Sequence, residues 1–191
     1  MKVLVIPEDF THDQFILKPI IQAMMSNVGK PHAKIIVCHD PKLESVEQAM
    51  NWSQIEAIIQ KYALINLFLL CVDRDGREGR RQALDNLEQR ASEILSANRL
   101  FLATAARQEI ETWLLAEMSD LPVDWQWTDI QNERDVKEAY FARQRGLLDA
   151  LSQGRKILGK EVAGRYGRIR QMCPEVAQLE NRIGNWMAAN T

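Results

Sequence analysis

The chain has 191 residues, 46% of them hydrophobic and 26% charged, values that exclude a disordered tail, a collagen-like chain and a disulfide-stapled miniprotein. At roughly 150 residues per domain, one domain with an appendage is expected. Lys plus Arg number 24 against 26 for Asp plus Glu, a net charge of −2, so any grip on nucleic acid has to come from local basic clusters rather than a global field.

Val3 to Ile6 is an apolar run without alternation, as in a parallel strand covered on both faces. Thr11 and Gln14 then offer a capping box, and Phe15, Ile16, Ile20, Ala23, Met24 and Val28 form a helical stripe up to Gly29, with Pro19 placed to kink or divide it. A second strand is expected at Lys34 to Cys38, a helix from Ser45 to Tyr62, and a central strand at Ile65 to Val72. Leu84, Leu87, Ala91, Ile94 and Leu95 mark a third helix, Arg99 to Ala103 a fourth strand, and Ala105 to Glu117 a further helix. Repeated β-then-α units predict an α/β, mostly parallel four-stranded sheet over residues 1–118, flanked by helices with right-handed crossovers.

From Ser119 the texture changes. Leu121 to Trp127 reads as a linking loop with room for a short strand, and the rest as helices over 133–151, 154–171 and a last one opened by Pro174. Residues 119–191 are therefore read as an Arg-rich helical C-terminal extension, including Arg143 and Arg145, packed on the sheet or next to it. Cys38, Cys71 and Cys173 lack C-x-x-C spacing and read as buried free thiols. No signal segment or membrane span is expected, so the sequence reads as cytoplasmic.

In an open α/β sheet, ligands bind outside the C-terminal strand ends. Glu8 and Asp9 follow the first strand, Asp73 and Asp75 the third, and Glu109 and Glu111 the fourth. In extended backbone Asp73 and Asp75 would point the same way, as shared ligation of Mg²⁺ or Mn²⁺ requires. On a helix Glu109 and Glu111 would diverge, leaving one to face the ion. The plainer alternatives are an acidic turn at Asp73 to Gly76 and helix-start charges at Glu8 and Asp9. Arg74, Arg77, Arg80 and Arg81 stand beside the acids, either as phosphate contacts or as partners of Glu78 and Asp85. His12, His32 and His39 lack zinc spacing, and no nucleotide P-loop or G-x-S-x-G elbow is present. Trp125 and Trp127 read as a base-stacking platform or as packing residues.

Pro7-Glu8-Asp9, Phe68 to Gly76 (FLLCVDRDG) and Gln108 to Glu117 (QEIETWLLAE) resemble Toprim-like domains, in particular small bacterial relatives of the overcoming-lysogenization-defect and abortive-infection type. The resemblance covers residues 1–118 and rests on short motifs. Glu8 resembles the family's first glutamate, Asp73 and Asp75 its D-x-D pair, Glu111 its later acid better than Glu109, and Lys160 the late lysine of nuclease-type members. The first motif departs from the pattern, lacking the glycine that often follows the glutamate. The resemblance implies a Toprim-like, Rossmann-like fold and Mg²⁺-dependent or Mn²⁺-dependent hydrolysis of DNA or RNA, with a place in phage defence. In that reading Glu8, Asp73, Asp75, Glu111 and Lys160 are catalytic, Glu109 is a further metal candidate, and Arg77, Arg80 and Arg81 contact nucleic acid. Candidate partners are nucleic acid, a separately encoded ATPase and a second copy of the chain. Two alternatives remain open: a non-catalytic Toprim-like partner of an ATPase or sensor, and another Mg²⁺-dependent phosphohydrolase.

Overall fold

In a computed structural model, described here for residues 1–118, 121–143 and 151–190, four apolar runs form strands β1 (Lys2–Pro7), β2 (Lys34–Val37), β3 (Leu67–Val72) and β4 (Leu100–Ala105). All pair in parallel, in the order β2-β1-β3-β4. β3 lies between two neighbours and every one of its residues is buried, which is why its sequence carries no polar position inside the strand. Helices α1 (Phe10–Asn27), α2 (Val46–Ala49), α3 (Trp52–Lys61), α4 (Arg80–Ile94) and α5 (Glu111–Glu117) fill the connections. The C-terminal part carries α6 (Trp127–Asn132), α7 (Val136–Ala139), α8 (Leu151–Met172) and α9 (Pro174–Ala189).

Alternate strand residues feed two cores, as the two-residue period of a strand requires. Val3, Val5, Leu67, Leu69 and Cys71 pack under α1, α5, α8 and α9. Leu4, Ile6, Phe68, Leu70 and Val72 pack under α2, α3 and α4. The helical extension is thus part of the first core, with Ile169, Val176, Leu179 and Ile183 fully or almost fully buried there. α8 packs on α1 and α5, and α9 on β4. Gly159 makes the α8–α1 crossing close: a Cβ there would lie 2.4 Å from the Phe15 carbonyl oxygen.

Several boundaries differ from those the sequence predicts. The cap of α1 lies two residues before Thr11: Asp9 is its N-cap, accepting the Thr11 N–H at 2.7 Å, while Asp13, not Gln14, reaches back to the Asp9 N–H at 3.1 Å. Pro19 sits inside α1 without dividing it. The expected helix over Ser45 to Tyr62 is two helices, because Asn51 caps α3 by accepting the Ser53 N–H. β4 runs to Ala105, so the helix expected from Ala105 begins only at Glu111. Of the helix expected over 133–151, Val136–Ala139 is helical, while 144–150, with Arg145, lie outside the described residues. No strand forms at 121–127. The three cysteines are free and buried, and among the described residues no helix is long and apolar enough to cross a membrane.

The edge strand β4 is tied off by side chains. Glu88 of α4 accepts the Ala103 N–H at 2.7 Å and Arg81 donates to the Ala103 carbonyl at 3.1 Å. Arg182 of α9 pairs with the same Glu88.

Candidate functional site

From β1 the chain crosses outward to β2, and from β3 it crosses the other way to β4, so the ends of β1 and β3 flank the crevice where connections part. The register aligns Pro7 with Cys71, which brings Glu8 beside the residues that follow β3. Glu8 Oε2 accepts the Asp73 N–H at 3.0 Å. Asp73 in turn accepts the Ile110 N–H at 2.8 Å through Oδ1. The Glu8 carboxylate is thus in contact with the backbone of Asp73.

Asp73 continues the alternation of Leu69 and Cys71 and faces the α1 and α5 side. There it meets two further acids, Asp13 on α1 and Glu111 at the start of α5. Burial, then the neighbouring Glu111, Glu8 and Asp13 carboxylates, push Asp73 well above the ordinary carboxylate range. Burial and the Glu111 carboxylate push Asp13 up to about 8, outweighing the Asp9 N–H bond that favours its charged form. Glu8 is raised as well, by burial first and by Asp75 among its neighbours, against the Asp73 N–H that lowers it.

Glu111 is 3% exposed and forms an ion pair with Arg155 of α8, itself 3% exposed. Arg155 Nε and Nη1 find no hydrogen-bond partner among the described residues, and its guanidinium lies over the Phe141 ring, 5.8 Å from the centroid. Glu109 turns elsewhere, accepting the Lys137 N–H at 2.6 Å. Burial raises it to about 7. Glu109 precedes α5 rather than lying on it, so helical spacing is not what separates the two glutamates.

The loop after β3 corrects the reading of Asp73 and Asp75 as an extended pair. Asp75 has φ 52° and Gly76 φ 63°, both left-handed, so alternation does not carry Asp75 to the side Asp73 faces. Asp75 Oδ2 instead lies 3.7 Å from Arg80 Nη2. Gln108 holds the turn: its carbonyl accepts the Arg74 and Asp75 N–H groups at 2.8 and 3.3 Å, and its side chain accepts the Gly76 N–H at 2.9 Å. Arg134 closes over Gly76, where a Cβ would lie 2.6 Å from Arg134 Nε, and it donates to the Asp75 carbonyl at 3.4 Å.

Lys160 is exposed on the flank of α1, lining adjoining grooves with Gln14, Phe15 and Lys18 and with Pro19, Gln22 and Ala23, and it makes no described bond to Glu8, Asp73 or Glu111. The basic residue that α8 delivers to the acids is Arg155. Of the basic cluster, Arg81 is engaged by Asp85, Glu88 and the Ala103 carbonyl, Arg77 is exposed and 3.8 Å from Glu47, and Arg80 is buried. Trp125 and Trp127 pack against the first core, Trp125 edge-on to Tyr140.

Asp13, Arg155, Gln108 and Arg134 were not singled out by sequence reasoning. Asp13 left a signal, since it falls on the stripe of Ile16, Leu17, Ile20 and Met24, where an acid is out of place. The other three act across gaps of more than 30 residues and left none.

As to a metal, the donor set is hard oxygen, which suits Mg²⁺ or Mn²⁺. Among the described residues, however, no group of three or more His, Cys, Asp or Glu side chains is arranged to hold an ion. Glu111 is held by Arg155 and Asp75 lies toward Arg80. Glu8 and Asp73 remain, each with one carboxylate oxygen on a backbone N–H. Two carboxylates fit the habit of Mg²⁺, which takes one or two from protein and completes its shell with water and substrate phosphate. Compared with known proteins, the chain matches no family model, no curated protein and no solved structure.

Proposed function

We propose that this chain hydrolyses phosphodiester bonds of nucleic acid with a divalent cation at the crevice between β1 and β3, in the manner of the Toprim-type nucleases it resembles. The observation that carries this reading is the meeting of Glu8 and Asp73, from adjacent strand ends, with both carboxyls raised by burial and by other acids. Glu8 and Asp73 would hold the ion, and Asp75, whose charge acts on Glu8, would have to turn from Arg80 to join them. When bound, such an ion supplies Lewis-acid polarisation of the scissile phosphate. The chain's own groups do the rest. Asp13, raised to about 8 by burial and by Glu111, favours its protonated form at neutral pH and so adds little charge to the cluster. Arg155 neutralises Glu111. Arg80, beside Asp75, offsets the acids' repulsion of an approaching backbone.

The test is Mn²⁺ titration followed by electron paramagnetic resonance, with cleavage of labelled DNA and RNA measured in parallel. Glu8→Gln and Asp73→Asn should each lower Mn²⁺ affinity at least about tenfold and abolish cleavage. Cleavage that persists in both variants would reject the reading.

The engagement of Glu111 by Arg155 favours a second reading, a non-catalytic partner subunit with a neutralised acid site. It predicts no Mn²⁺ binding in the wild-type chain and no cleavage with either nucleic acid.

A further inference from the structure

We propose that the arginine-lined cavity at the start of α4 binds a phosphomonoester dianion, the terminal phosphate of a nucleotide or of a nucleic-acid strand. The cavity measures about 430 Å³ and lies between the first turn of α4, the end of β4 and the first turn of α9. Arg74, Arg77, Arg80, Arg81 and Arg107 line it, against one carboxylate, Glu175, which is held by the Trp113 indole N–H at 2.8 Å.

Two independent features point to an anion. The first is the helix terminus. α4 has 15 residues, and its N-cap is Gly79 at φ 83°, a residue with no side chain to accept the first N–H groups. No acid stands in its first turn, so those N–H groups and the positive end of the helix dipole are left for a ligand. The second is Arg80, only 9% exposed, whose Nε and Nη2 have no hydrogen-bond partner among the described residues. Its nearest carboxylate oxygen, on Asp75, is 3.7 Å away, beyond hydrogen-bond reach. A buried guanidinium without a full set of acceptors is costly, and because Arg80 lines the cavity, a phosphate bound there would draw its guanidinium fork, now held loosely toward Asp75, into contact.

A guanidinium fork and a helix N-terminus together match a phosphate better than a single carboxylate. A dianion answers several arginines where an internal diester brings one charge. The cavity also leaves room beside the phosphate for an attached sugar. This site needs no cation and no cleavage, so it stands or falls separately from the hydrolysis reading.

The experiment is calorimetric titration of the full chain in EDTA with inorganic phosphate, a nucleoside 5′-monophosphate, and one short oligonucleotide prepared with a 5′-phosphate or a 5′-hydroxyl. Phosphate is expected to bind, and Arg80→Met to weaken it at least about tenfold, as loss of a charge-assisted contact does. Arg74→Ala/Arg107→Ala changes exposed side chains only and should weaken it similarly, so the test survives if Arg80→Met fails to fold. Arg165→Ala, on α8 outside the cavity, should not. Tighter binding of the 5′-phosphorylated strand supports the site with a strand end as its ligand, whereas binding of the monophosphate with no difference between strands supports it with a free nucleotide. Absence of phosphate binding at 10 mM by folded protein, or unchanged affinity in the folded arginine variants, overturns the proposal.

Discussion

Glu8 and Asp73 are joined by a carboxylate accepting a backbone N–H across the β1–β3 crevice, not by two carboxylates meeting head on. The contact has a structural side, satisfying an N–H at the end of the central strand, and an electrostatic side, adding charge where burial already disfavours it. Two substitutions separate these. Glu8→Gln keeps an acceptor and removes the charge, and is expected to match or exceed wild-type stability at pH 7.5 in EDTA. Glu8→Ala removes the acceptor and should cost about 1–3 kcal/mol. Urea unfolding measures both. Equal losses in the two variants would mean that the charge itself holds the crevice together.

The pH dependence of stability follows from Asp13. Its folded pKa is about 8 against an ordinary 3.8, so between these values the native chain keeps a proton that the unfolded chain has lost. Stability therefore falls as pH rises through this window and levels off above about 8, the reverse of a salt-bridged carboxylate. Asp73, and Glu109 at about 7, act in the same direction. Asp13→Asn should flatten the slope and stabilise the protein by up to about 5 kcal/mol at pH 9, with little change at pH 4. A slope unaltered by the substitution would assign the titration to the other acids.

Arg155 and Glu111 form a pair from which neither member can be removed alone. Arg155→Met leaves a buried carboxylate facing Asp13 and Asp73, and should destabilise by about 3–5 kcal/mol. Arg155→Met/Glu111→Gln should recover most of that loss, since replacing both members removes the stranded charge. Chemical denaturation of the three variants at pH 7 measures the coupling, and additive losses would show that the pair acts only through packing.

Gly76 is constrained twice, by its φ of 63° and by Arg134 across it. Gly76→Ala should cost about 1–2 kcal/mol from the left-handed backbone. Arg134→Ala in the same chain should relieve only the steric part, because the guanidinium is a flexible end that can swing aside. Full rescue in thermal unfolding would show that the contact, not the dihedral angle, is limiting.

The frame of the sheet was legible in the sequence because it depends on local runs: Val3 to Ile6 and Leu67 to Val72 carry the strand signal outright. That Glu8 and Asp73 both end strands of a parallel sheet, and so lie on one rim, was legible too, whereas their adjacency depends on β1 pairing with β3, which chain order does not fix. What was not legible depends on distant partners. Nothing local shows that Arg155 finds Glu111, or that Gln108 clamps the turn and so takes Asp75 out of the extended conformation. A glycine-rich helix likewise shows its small face in sequence but not how far along its neighbour it docks, and so not which of its basic residues, Arg155 or Lys160, meets the acids. Gly159 against the Phe15 carbonyl fixes that docking.

The bonds from Glu88 and Arg81 to Ala103 bear on how the sheet meets other molecules. An outer strand normally offers its unpaired amides as a template for an incoming extended segment, which is how sheets recruit peptides or polymerise. At Ala103 both outward groups are already occupied by α4, and α9 lies along the same strand with Arg182 on Glu88. Strand addition at that border would first have to displace three charged side chains, which leaves β2 as the border at which this sheet can be extended.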